Sequence, residues 1–151
     1  MSEFAVRWVF VLDGDSVYSL RKHLPSDWNR AIAFLDRKGK KRFEILANGD
    51  GKVIAGYARD GCTPDGIPNE HTKKPKAYYA SLLHDVLYQF LDADLPLSRA
   101  QADRVFVEIL TRDRFAPRRV YYAAVRVFGG LFRRFARWKR AYAGKRVTLP
   151  R

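Results

Sequence analysis

One turn of a helix written LLHDVLY brings an imidazole, a carboxylate and a phenol together, because His84 and Tyr88 are four residues apart and Asp85 and Tyr88 three. Such a trio suits general-base chemistry. Imidazole titrates near neutral pH, and a carboxylate that fixes its tautomer also stabilises the imidazolium formed when it takes a proton. Asp85 is poorly placed for that task, since it follows His84 directly and on a helix points about 100° away. Asp103, in SRAQADRVFVEIL, is the better supplier, because it lies beside the apolar face by which a second helix would pack on the first. Asp85 is then left to bind something else, and a hard cation held together with backbone carbonyls of a nearby loop is the natural candidate. The plain alternatives are an ordinary His-Asp dipeptide on a partly exposed helix, and an Asp103 that pairs with Arg99 or Arg104 at the surface for little gain.

The elements that must position these residues follow from periodicity. Tyr79, Leu82, Leu83, Val86, Leu87 and Phe90 recur at three- and four-residue intervals and predict an amphipathic helix of roughly four turns. LDADLPL breaks it, and Ser98 is placed to cap a second helix whose apolar face is Ala102, Val105, Phe106, Ile109 and Leu110. A connection this short makes the two helices antiparallel neighbours. Upstream, residues 57–75 are rich in proline and glycine and read as an exposed loop. The first 58 residues read as short strands, FAVRWVFVL, RAIAFL, RFEILA and KVIAGYA, although residues 30–36 fit a short helix equally well. Asp13-Gly14-Asp15, Lys38-Gly39-Lys40 and Asn48-Gly49-Asp50-Gly51 are the turns, and the last is the strongest hairpin signal.

Charge is distributed unevenly. Residues 1–111 carry 16 Lys/Arg against 15 Asp/Glu, whereas residues 112–151 carry 13 against Asp113 alone. Pro117 fits the first turn of a third helical stretch running to about Gly129-Gly130, where the glycine pair predicts a break or hinge. Beyond it Leu131, Phe132, Phe135, Trp138 and Tyr142 repeat with helical spacing among Arg133, Arg134, Arg137, Lys139 and Arg140. That is a basic amphipathic helix. Its aromatic face suits the headgroup region of an anionic membrane, with Arg133, Arg134, Arg137, Trp138 and Arg140 as the contacting residues. Nucleic acid or an acidic protein would satisfy the same charge, and the aromatic residues alternatively form core with the arginines as its solvated side.

The expected architecture is α+β: a small N-terminal mostly antiparallel sheet packed on an antiparallel helix pair, with residues 1–130 as one domain and 131–151 as a basic helical tail. No run of 18 to 20 apolar residues is present, and the start lacks a secretory leader, so residence in a bacterial cytoplasm, with peripheral attachment to the membrane left open, is the expectation. A single cysteine, Cys62, excludes an intramolecular disulfide framework, and its spacing from His71 and His84 matches no compact zinc motif.

Two resemblances extend this reading. DGCTPDGIP, YYASLLHDVLY, SRAQADRVFVEIL and VYYAAVRVFGG, over roughly residues 50–130, together resemble the prophage-associated family labelled domain of unknown function 1353. That implies a phage or prophage origin and no particular activity. HDVLY and ADRVF, preceded by RDGCTPDG, are also similar to the His-Asp-x-x-Tyr helix, the Asp-bearing antiparallel helix and the calcium loop of phospholipases A2. Leu83 and Leu87 stand where the secreted enzymes have cysteines. The likeness implies that His84 activates water for attack on an ester, that Asp103 orients it and that Tyr88 supports the pair. It further implies that Asp85, with Asp60 and Gly61 of the loop, holds Ca2+, which would stabilise the oxyanion. The expectation is therefore a phospholipase A2-like hydrolase acting at membranes. The alternative is a non-enzymatic phage accessory or structural protein whose tail binds membrane, a partner protein or nucleic acid.

Overall fold

Local turn chemistry lays down most of the sheet. The strands are β1 (Phe10–Val11), β2 (Ser16–Ser19), β3 (Ile32–Asp36), β4 (Lys41–Ile45), β5 (Asp50–Val53), β6 (Ala58–Arg59) and β7 (Ala143–Thr148). The helices are α1 (Tyr78–Gln89), α2 (Arg99–Arg112) and α3 (Arg118–Phe135). This computed structural model describes residues 10–12, 14–59, 78–135 and 143–149, with side chains for 12, 14–57, 79–127 and 146–149. Between β3 and β4, the Asp36 carboxylate accepts the Lys38 and Lys40 amides at 2.9 Å each. Between β4 and β5, the Asn48 side chain accepts the Asp50 amide at 3.0 Å while Gly49 sits at φ 92°. The glycine is required twice over there, since a Cβ would lie 2.9 Å from Arg21 Cδ in addition to needing the left-handed backbone.

Five strands pair antiparallel in the order β2-β5-β4-β3-β7, and β1 pairs separately with β6. In the register of β3 on β4, Ile32 faces Ile45 and Phe34 faces Phe43, so alternation delivers one continuous apolar face. Phe34 stacks on Phe43 at 5.7 Å and meets Phe90, at the end of α1, at 5.3 Å. That contact joins the sheet to the helices in an α+β fold. Ser98 caps α2 with a complete capping box, its side chain accepting the Gln101 amide and the Gln101 side chain accepting the Ser98 amide.

Several expectations are corrected. Of the two readings of residues 30–36 the strand holds, over Ile32–Asp36, because the hydrogen-bonding edges of β3 are used by β4 on one side and β7 on the other. KVIAGYA is not one strand: Gly56, at φ 85°, turns the chain so that β5 and β6 enter different sheets. β2 was not foreseen, since SVYS is short and alternates half-exposed with exposed positions at a sheet edge. α3 runs through Gly129-Gly130 without a break. Residues 143–148, read as the end of a helical tail, form β7 instead. Ala33 pairs with Val147, Leu149 donates to the Ala31 carbonyl, and Arg146 donates to the Asp94 carbonyl at 2.8 Å. Only the partner edge of β3 supplies the reason, and it lies far away in the chain.

Replacing Gly49 by alanine should cost about 1–2 kcal/mol of unfolding free energy, through backbone strain and the clash with Arg21. Urea denaturation measures this. An unchanged midpoint would contradict the conformation assigned to the turn.

Candidate functional site

Asp103 is the hinge of the helical layer. It is 0% exposed on the apolar side of α2, among Ala102, Val105 and Phe106. A bare carboxylate there would carry a prohibitive desolvation cost, so it must collect donors. Three arrive from two other helices: His84 Nε2 lies 2.8 Å from Oδ1, Tyr88 donates its hydroxyl to the same oxygen, and Arg126 of α3 donates to Oδ2 at 2.9 Å. The four-residue spacing of His84 and Tyr88 stacks their rings at 4.1 Å, and Phe106 closes on the imidazole at 4.9 Å. His84 near the middle of α1 meets Phe106, while the later Tyr88 meets the earlier Asp103, so the pair of helices is antiparallel as expected.

Electrostatics fixes the proton positions. Burial alone would raise the Asp103 carboxyl, but hydrogen bonds from His84, Tyr88 and Arg126 together hold it below the ordinary carboxylate range. Burial, followed by the hydrogen bond to Asp103 and its negative charge, pushes the Tyr88 phenol well above its usual range, so it remains a donor. An ionised carboxylate can only accept, hence Nε2 of His84 carries its hydrogen. In the neutral ring the lone pair then belongs to Nδ1, the nitrogen a general base would use. His84 retains 8% exposure.

The structure thus brings together His84, Tyr88 and Asp103, and adds Arg126, which sequence reading passed over. Arg99, considered a surface partner for Asp103, instead donates to the Arg126 carbonyl at 3.0 Å. The signal for Arg126 was indirect: a buried acid demands a cation, but α3 offers five arginines and no acid to discriminate among them. His23 was also passed over. It lies on the short helix Arg21–His23, and its Nε2 is 3.1 Å from both oxygens of Glu108, which Lys22 reaches at 2.9 Å. Burial would raise the Glu108 carboxyl, yet Lys22 and His23 hold it below its usual value.

Asp85 is half-buried on α1. Among the described residues no three His, Cys, Asp or Glu side chains are grouped closely enough to hold a metal ion. Asp60 and Gly61, the other expected calcium ligands, lie outside the described residues. Arg133 and Arg134 belong to the backbone course of α3, their side chains being outside the description, as are Arg137, Trp138 and Arg140 altogether. A cavity of about 360 Å³ is lined by Leu12, Tyr18, Val53, Tyr79, Leu83 and Arg112 among others, and none of His84, Tyr88, Asp103 and Arg126 lines it. No family model, curated protein or solved structure matches the chain. Among the described residues no helix is long and apolar enough to cross a membrane.

Asp103→Ala takes the acceptor from His84 and Tyr88 and leaves the partly exposed Arg126 to water, and should destabilise the chain by about 3 kcal/mol. A loss under about 1 kcal/mol in urea denaturation would show that the network does not hold the helices. The depressed carboxyls set an acid limit. Their contribution is complete above the unfolded value near 4 and disappears as pH falls through the lower folded values. The urea midpoint should accordingly drop below about pH 4, and less steeply in Glu108→Gln. A midpoint that holds constant down to about pH 2 would contradict these ionisations.

Proposed function

We propose that the protein is an ester hydrolase of phospholipase A2-like chemistry, with His84 as its general base. The observation that carries this reading is the 2.8 Å contact of His84 Nε2 with a buried, ionised Asp103, which leaves Nδ1 as the basic nitrogen. In the proposed step Nδ1 takes a proton from water as the water oxygen bonds to the ester carbonyl carbon. Asp103 stabilises the imidazolium, and the proton then passes to the departing alkoxide as the ester C–O bond breaks. Tyr88 and Arg126 keep the carboxylate ionised and correctly turned. Calcium bound by Asp85 and the loop carbonyls near Asp60 and Gly61 would supply polarisation of the ester carbonyl. Phospholipid as substrate is only what the HDVLY and ADRVF resemblance implies, and phage origin what the longer one implies.

One observation favours the second reading, a non-enzymatic phage accessory or structural protein. Asp103 is saturated by three donors and His84 is nearly enclosed, as a purely structural lock would also be. The two readings separate on hydrolysis of phospholipid vesicles, with calcium or with chelator. A general base implies that His84→Ala loses at least about a hundredfold in rate while keeping a cooperative melting transition. Equal, negligible turnover by both proteins in both conditions would leave the structural reading standing.

A further inference from the structure

α3 is amphipathic in an inverted sense. Its inward side is held by Tyr121 and Val125, which pack on the core, by the edge-to-face contact of Tyr121 with Phe115 at 4.9 Å, and by Arg126 on Asp103. The outward side of an ordinary surface helix is polar. Here it is apolar: Val120 is 69% and Val127 71% exposed, and Ala123 and Ala124 are exposed between them. Val120, Ala124 and Val127 stand at i, i+4 and i+7, one row along the helix about 10 Å long. Exposed Arg119 lies about a quarter turn from the row, Arg118 falls on the inward side and donates to the Phe115 carbonyl, and the whole helix has five arginines with no acid.

The geometry points to this face of α3 as a docking surface for an anionic lipid bilayer. Valine and alanine gain by leaving water at the boundary between headgroups and acyl chains, and arginines at the edge of the row can reach lipid phosphates while their stems stay apolar. Charge selects among occupants. A second copy would set one arginine-only helix against another in a chain of net charge +13, which is repulsive. Nucleic acid would reward the arginines but leave the valine row with nothing to bury it. Of these occupants an anionic lipid surface uses both features. The inference goes beyond the hydrolase reading and does not depend on it, because it is read as binding without turnover.

The test is co-sedimentation of the full chain with vesicles of phosphatidylcholine alone and with about 30% phosphatidylglycerol, at about 0.15 M salt. Wild type should bind the anionic vesicles and hardly bind the neutral ones. The double variant Val120→Ser, Val127→Ser changes only exposed positions, so its melting transition should persist while its binding weakens about tenfold or more. Undiminished binding by that variant, no binding by wild type, or equal binding to neutral vesicles would each overturn the proposal. Duplex DNA bound in preference to the anionic vesicles would replace it with a nucleic-acid surface. A dimer in sedimentation velocity that the double variant abolishes would instead make a second copy the occupant.

Discussion

A negative charge with no access to water governs the helical half of this molecule. Asp103 is kept ionised by hydrogen bonds from His84, Tyr88 and Arg126, and those three groups come from α1 and α3. Apolar packing between helices tolerates sliding, since one leucine contact resembles the next. A carboxylate with two oxygens and three directed donors does not. The network therefore selects one axial register for α1 on α2 and one for α3 on α2. The sheet is tied to that arrangement through Phe90, which seats the end of α1 on Phe34.

The same helix carries a second histidine-carboxylate contact in a different setting. Glu108 keeps about a quarter of its side-chain surface in water and is shared between His23, Lys22 and the Tyr18 hydroxyl. Solvent screens such a pair, so its geometry is soft and its worth modest. Asp103 has no such screening. The two carboxylates of this helix thus differ in depth while the histidines that meet them are equally enclosed.

What was legible in the amino-acid order was what depends on near neighbours. The helical period placed His84 and Tyr88 on one face, the position of Asp103 beside an apolar stripe brought it to them, and Ser98 with Gln101 marked the start of α2. The Asn48-Gly49 turn announced its hairpin. What escaped depends on distant partners. Arg126 differs from the other arginines of α3 only in what lies opposite it. β7 has a weak strand signal of its own, Val147-Thr148, and exists because β3 presents an unfilled edge. β2 likewise borrows its regularity from β5. The helical spacing read into the basic segment agrees with α3 as far as Phe135, residues 136–142 lie outside the described residues, and Ala143–Thr148, assigned to the same tail, are strand.

β7 also imposes an order on folding. β3 hydrogen-bonds on one side to β4 within a few residues, but its other side waits for Ala143–Thr148, which lie far downstream in the chain. Closing so long a loop is slow compared with forming hairpins or helices, and it comes late on any route. Until β7 is made and docked, the nascent chain therefore shows a bare strand edge next to Phe34 and Ile32, the kind of edge that recruits other chains. Pairing of β7 with β3 is then also the step that ends this edge's exposure to aggregation.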